Sequence, residues 1–405
     1  MLAPSLQGRC RTEPTEPAAL KTIAYVLTDF PVLSETFIGN EIRAMEAREH
    51  RVVPFVFRLR EGPAQPRDGE IAARARTLAS IPAGHGLRMV PLAWRAWPFL
   101  MRQKLLPVRS LLWTGLKLAG AMGAAGCSHV HAHFAGGGAA HGLVAARIAG
   151  LPVSFTCHGH DVYAEPEDLE AKLAAADAVV AVCSDLEDDL RRLESRARIV
   201  RIPCGTDPGR FRPRDAKMPD NGRYLFIGRF VGSKGIDDLF SALEILEGKV
   251  PVKLDIVGDG PLREDIEAGA QAITTRGYHE IRLLGSRDAA WLAAEAPAYR
   301  AACLPFKATA DGNRETGPLV VKEAMAMGLP VISTAFMGVK EMVTPMTGIL
   351  VPPADPRALA DAIARLDAMT DGQRRALGAA GRQRLLSHFT LAAQARALSA
   401  MVEAA

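Results

Sequence analysis

Residues 71–160 contain no aspartate or glutamate at all. The same window carries Arg74, Arg76, Arg88, Arg95, Arg102, Lys104, Arg109, Lys117 and Arg147, so the N-terminal half is basic and the acids come later. Over 405 residues the net charge is still only +4, too mild to imply a nucleic-acid partner. Cysteine is sparse as well. Cys10, Cys127, Cys157, Cys183, Cys204 and Cys303 are scattered and form no Cys-x-x-Cys pair, which excludes a disulfide framework and a cysteine zinc site. Cys157, Cys183 and Cys303 fall in apolar runs and read as small buried hydrophobes, the usage of a cytoplasmic chain. Residues 1–21 are polar, with three prolines and no apolar core of signal-peptide type, and read as a disordered leader. The longest stretch free of charge, Leu118–Ala146, holds four histidines and many glycines, which excludes a bilayer-spanning helix.

The chain is 48% hydrophobic and 23% charged, enough to bury two sizeable cores. Twelve short apolar, β-rich runs alternate with helical patterns: Thr22–Leu27, Arg51–Phe57, His129–His133, Val153–Cys157, Ala178–Val182, Ile199–Ile202, Tyr224–Ile227, Lys253–Val257, Ile281–Leu284, Ala301–Leu304, Val331–Ser333 and Gly348–Val351. Such alternation predicts an α/β protein with parallel, doubly wound sheets covered on both faces. Pro203 to Gly222 holds four prolines and no apolar period, so the strands divide there into two domains. Ligands of such sheets sit beyond the carboxyl ends of the strands, which is where polar clusters carry weight.

Three such clusters lie in the C-terminal half. Arg229 and Lys234 fall in a glycine turn between a strand and a helix, an arrangement suited to an anion. Gly258 and Gly260, also expected at the donor, permit a tight turn after the next strand, with Pro261 opening a helix. Glu315, Thr316, Gly317, Pro318 and Leu319 lead into a short apolar helix that carries Lys322 and Glu323. Carboxylates at Glu315 and Glu323 suit sugar or ribose hydroxyls, and the free amides suit a phosphate. Incidental loop charges, and a solvent-facing helix edge at Lys322 and Glu323, are the competing explanations.

Here the chain resembles glycosyltransferase family 4, from Thr22 onward. Glu315, seven residues and Glu323 match the family's Glu-x7-Glu motif, and the runs Glu323–Thr334 and Thr347–Pro353 are close to the family's wording. The resemblance implies the GT-B fold, two Rossmann-like doubly wound parallel-sheet domains facing each other across a cleft. It assigns Glu323 to the nucleotide ribose, Glu315 with the following amides to the donor sugar, and Arg229 with Lys234 to the diphosphate. Two departures stand out: Thr316–Gly317–Pro318 replaces Gly-Leu-Pro, and Met337–Glu341 replaces a Gly-Gly-Ile/Val-Pro-Glu loop, changes expected to bear on donor-sugar choice.

In the N-terminal half, Asp29–Ile38 follows the first strand, with Ser34 as a candidate helix cap. Its wording resembles the branch tied to bacterial exopolysaccharide and colanic-acid-type assembly, and Ser34, Glu35 and Thr36 are expected at the acceptor or cleft. His131–Phe134 and His158–Asp161 each end a strand. As a set these histidines with Asp161 suggest a metal site. The resemblance instead makes His158 the group facing the donor sugar, Asp161 an orienting group and His133 a cleft residue. Residues 88–117 join cations to Trp94, Trp97 and Trp113; peripheral contact with the anionic inner face of the plasma membrane and a helical insertion with core tryptophans both remain open.

The expected organisation is an acceptor-binding domain over 22–205, a linker over 206–221, a nucleotide-sugar domain over 222–387 and a final helix over 388–405 packing back on the first domain. The expected activity is retaining transfer of a sugar, with UDP the family's commonest carrier, to a glycan or lipid-linked saccharide. No cofactor or metal is expected, because no DxD-type motif stands in a suitable loop. Rival readings are a nucleotide-sugar epimerase on the same fold, a metal-dependent hydrolase and a non-catalytic sugar-nucleotide binder.

Overall fold

The computed structural model describes residues 20–33, 35–62, 64–214 and 220–405. The first sheet has seven parallel strands: β1 (Thr22–Phe30), β2 (Arg51–Leu59), β3 (Arg76–Thr77), β4 (His129–His133), β5 (Val153–Cys157), β6 (Ala178–Ala181) and β7 (Ile199–Arg201). Their order is β3-β2-β1-β4-β5-β6-β7. The second has six: β8 (Arg223–Ile227), β9 (Lys253–Val257), β10 (Glu280–Gly285), β11 (Ala301–Leu304), β12 (Val331–Thr334) and β13 (Ile349–Val351), in the order β10-β9-β8-β11-β12-β13. The two-residue β3 is one strand more than the apolar runs predict. It is too short to carry a periodicity of its own.

Both sheets are doubly wound, with the order reversing beside β1 and beside β8. The central strands are buried along their whole length, as two-sided helical cover requires. Even β4, with three histidines in five residues, is fully buried. Its polar rings survive there because β5 offers hydroxyls: Ser154 Oγ lies 2.8 Å from both His129 Nε2 and His131 Nδ1, and Thr156 Oγ1 lies 3.1 Å from His131 Nε2.

The chain passes between the domains twice, and the two passages are tied. Thr206 and Thr390 form a parallel bridge, with Thr206 N donating to Phe389 O at 3.0 Å and Leu391 N to Thr206 O at 2.9 Å. The helix Leu391–Glu403 then lays Ala395, Leu398, Met401 and Val402 into the core that holds Ile23, Tyr25, Ile38 and Ile42 of the first domain. Among the described residues no helix is long and apolar enough to cross a membrane.

Candidate functional site

A cleft of about 460 Å³ lies between the carboxyl ends of the two sheets. One wall comes from Phe37, the β4 loop at Phe134 and the β5 loop at His158. The other comes from the β8 loop, Gly228 to Lys234, and from residues 313–318 before the helix Leu319–Ala326. Parallel strands deliver all these loops to the same edge, which is why residues more than 150 positions apart in sequence meet there.

Arg229, Lys234, Glu315, Thr316, Gly317, Pro318, Leu319, Glu323, Thr36 and His158 all line this cleft. Lys234 pairs directly with Glu315, and its ammonium stands 5.2 Å from the centroid of the Phe306 ring. Arg229 is exposed. Pro318 is the N-cap of the helix Leu319–Ala326, so the helix opens its unpaired amides toward the cleft. Burial pushes the Glu323 carboxyl up to about 7, against the pull of Arg210 and Lys322. Lys322 itself is 0% exposed, its ammonium 3.4 Å from Gly317 O, and burial drives its pKa down. A solvent-facing edge at this point of the helix is therefore excluded for Lys322. It lies beneath the 316–318 loop.

Gly258 and Gly260 do not line the cleft. They adopt φ of 154° and 157° and press on the β8 loop: a Cβ at Gly258 would stand 1.9 Å from Gly228 O, and one at Gly260 2.7 Å from Phe230 O. They shape the loop that carries Arg229.

In the first domain, His158 packs between Phe37 and Phe134, with ring centroids 4.3 and 4.7 Å away. Burial drives its pKa well below the usual imidazole range, and nearby His133 adds to this. Asp161 is buried and accepts three backbone N–H groups, from Ala135 at 2.7 Å, His158 at 3.0 Å and Gly159 at 2.8 Å, joining the β4 and β5 loops. His133 is buried behind His158, with Nδ1 3.1 Å from His158 Nε2 and Nε2 3.0 Å from Glu41 Oε1. Glu35 lines a separate small cavity with Asp29 and His133, and burial raises its pKa to about 6. Ser34 lies outside the described residues. The helix begins at Thr36, and the capping position belongs to Glu35, which makes no side-chain cap bond.

The five-residue set proposed for a metal is not assembled. His160 is exposed near Glu165, and Asp161 is committed to backbone amides. His131 and His133 instead converge on Glu41, all three buried and within 4.8 Å of one another. His131 spends both ring nitrogens on Ser154 and Thr156, so ligation there requires breaking existing bonds.

Several cleft residues escape motif reading. Trp291 and Arg287 line the cleft after β10, with the guanidinium 5.9 Å from the indole centroid. A tryptophan just past a strand's carboxyl end was the available signal. Arg314 stacks 4.5 Å over Tyr163 of the opposite domain, and no spacing in the sequence foretells it. Lys340 and Glu341, in the loop expected to bear on donor-sugar choice, instead reach the first domain: Lys340 Nζ lies 2.6 Å from Asp185 Oδ2, and Glu341 binds Ser184. The tryptophans of 88–117 are not core. Trp94, Trp97 and Trp113 are 69%, 54% and 42% exposed.

The model of "Glycosyltransferase Family 4" matches residues 34–210, and that of "Glycosyl transferases group 1" matches residues 221–368. TuaC of Bacillus subtilis (strain 168), named for teichuronic acid biosynthesis, is 30% identical over 259 residues, 59% of this chain and 61% of that relative. WcaL of Escherichia coli (strain K12), named for colanic acid biosynthesis, is 26% identical over 376 residues, 84% of this chain and 89% of the relative. Both are glycosyltransferases by name. The solved structure of Anabaena Alr3699/HepE in complex with UDP and glucose shares the fold, with TM-score 0.71 at 17% identity over 95% of this chain and 100% of that one. Two parallel α/β sheets open on one cleft, and a family match covers each half: the chain belongs to the family 4 glycosyltransferases of the GT-B fold.

Proposed function

We propose that this protein transfers a sugar, with retention of anomeric configuration, from a nucleotide-sugar donor to a glycan or lipid-linked saccharide during assembly of a cell-surface polysaccharide. The observation that carries this reading is the convergence of Arg229, Lys234, Glu315, Glu323 and the amides before Leu319 on one cleft that His158 faces from the other domain. In this scheme Glu323 binds the ribose hydroxyls and Trp291 supports the base, with UDP the base carrier the HepE complex suggests. Arg229, Lys234 and the helix amides meet the charge that grows on the departing diphosphate. That is the work a metal would otherwise do, so the reaction is proposed to run without one.

No carboxylate is needed as a covalent nucleophile. The acceptor hydroxyl attacks from the face the diphosphate leaves, and a diphosphate oxygen takes its proton. The salt bridge between Lys234 and Glu315 would open as the donor enters, releasing Lys234 to phosphate and Glu315 to the sugar. Colanic and teichuronic acid assembly, named for the relatives, supports a surface-polysaccharide acceptor. The exposed Trp94, Trp97, Met101 and Leu105, set among Arg88, Arg95, Arg102, Lys104 and Arg109 with no acid between, support docking on an anionic cytoplasmic membrane face where lipid-linked acceptors reside.

The test is thermal unfolding against UDP-, GDP- and ADP-sugars with EDTA present, followed by product analysis with and without acceptor. One donor raises the midpoint, as about 2.7 kcal/mol of added stability at a hundredfold excess over Kd requires. Glu323→Ala abolishes that rise. A midpoint deaf to every donor, or an epimerised donor without acceptor, overturns the proposal.

A further inference from the structure

Behind His158 lies a buried chain of hydrogen bonds that the transfer chemistry above does not use. Glu41, on the helix Thr36–Glu46, is 3% exposed. Its carboxylate takes three donors: Tyr25 Oη at 2.9 Å, His133 Nε2 at 3.0 Å and Gln394 Nε2 at 2.7 Å. Burial pushes its pKa up, but His133, His131 and the Tyr25 hydroxyl together bring it down to about 2. Gln394 comes from the C-terminal helix Leu391–Glu403, and its Oε1 accepts from Gly205 N at 2.6 Å. One end of the chain is therefore anchored where the two domains exchange their polypeptide. The other end is the ring that faces the cleft.

We propose that Glu41 is a positioning residue that acts through His133 to fix which nitrogen of His158 carries the proton, a role that rests on the glycosyltransfer reading of the cleft. With both imidazoles neutral, Glu41 admits a single order. An ionised carboxylate only accepts, so His133 must present Nε2–H to it. His133 Nδ1 is then a bare acceptor, and His158 must present Nε2–H to it across the 3.1 Å contact. His158 Nδ1 is left as a lone pair. It makes no hydrogen bond to the described residues, and the ring lines the cleft. In that order His158 meets its sugar as an acceptor from a hydroxyl. His131 stands outside this order, because Ser154 and Thr156 occupy both its nitrogens.

Glu41→Gln tests the idea, since an amide can turn either its oxygen or its NH2 to His133 and no longer dictates the order. Full-length protein labelled with ¹⁵N-histidine at pH 8 reports the protonated nitrogen of each ring through long-range ¹H–¹⁵N spectra, assigned with His133→Asn and His158→Gln. Wild type should show His158 protonated at Nε2 and bare at Nδ1. Glu41→Gln should move proton density to Nδ1. Turnover of whichever nucleotide-sugar the unfolding panel identifies should fall about tenfold, the factor of one net hydrogen bond, while its nucleoside diphosphate binds within twofold of wild type. The wild-type spectrum needs no variant to fold. His158 protonated at Nδ1 in wild type, or an unchanged spectrum in Glu41→Gln, overturns the proposal. Wild type that ignores every nucleotide-sugar of the panel defeats the glycosyltransfer reading instead and leaves the tautomer result standing.

Discussion

Glu341 of the second domain caps Ser184 of the first: its carboxylate accepts from the Ser184 amide at 2.5 Å and from the Ser184 hydroxyl at 2.6 Å. The acceptor sits at the N-terminus of the helix Ser184–Leu193, where backbone N–H groups are unpaired and negative charge is favoured. A polar clasp therefore joins the two domains beside the cleft. Glu341→Ala should cost about 1 kcal/mol, the usual value of a lost cap. Without ligand it should also raise the radius of gyration in solution scattering. An unchanged radius together with unchanged turnover would sink the clasp.

Gly338 tests the same boundary by sterics alone. Its φ is −62°, so alanine meets no backbone strain there. A Cβ would instead stand 2.3 Å from Thr316 O and 2.9 Å from Cys183 Cβ. Gly338→Ala should push the 316–318 loop off the first domain, at about 1–3 kcal/mol of overpacking. Donor-dependent turnover should drop with far-UV circular dichroism unchanged. Crystallography of the variant would show the displaced loop, or refute it.

Burial raises the Glu323 pKa to about 7 from its ordinary value near 4.5. The sign follows from linkage: between those values the folded state holds the proton and the unfolded state does not, so the carboxyl lowers stability as pH rises from about 4.5 to 7. A ribose diol favours the carboxylate. UDP affinity should therefore tighten as pH rises through 7 and level off above it, which calorimetry from pH 5.5 to 8.5 can follow. Glu323→Gln should flatten this dependence and weaken binding throughout. A pH-dependence that survives in Glu323→Gln would assign it to another group.

Lys234 is tied to Glu315, whereas Arg229 is exposed. Arg229→Ala should weaken UDP binding by about ten- to a hundredfold, the range of a charge-assisted hydrogen bond. Lys234→Ala should lose less in binding than in turnover, because the diphosphate charge grows in the transition state. Equal losses in both for Lys234→Ala would assign it to ground-state binding only.

The exposed tryptophans predict lipid dependence. Wild type should sediment with vesicles of phosphatidylglycerol at low salt and lose that association in salt, since exposed charges are screened. Trp94→Ala with Trp97→Ala should reduce binding at least tenfold and leave thermal stability nearly unchanged, because neither ring is core. Indifference of wild type to anionic vesicles rejects the surface as a membrane contact.

Much of the architecture was legible in the order of residues. Strands buried on both faces must be short, continuous apolar runs, and helices between them force parallel pairing, so twelve runs were enough to call for two doubly wound sheets. Glu315 and Glu323 stand eight positions apart and Arg229 and Lys234 five, so local geometry alone presents each pair together. The partner of His133 was not legible. Glu41 lies 92 positions earlier, and only the pairing of β4 with β1, against which the helix Thr36–Glu46 packs, brings them to 3.0 Å. Nor could spelling decide the tryptophans, since an indole has the same letter in a core and on a surface. Exposure is settled by what packs against a helix, and that depends on contacts across the whole domain.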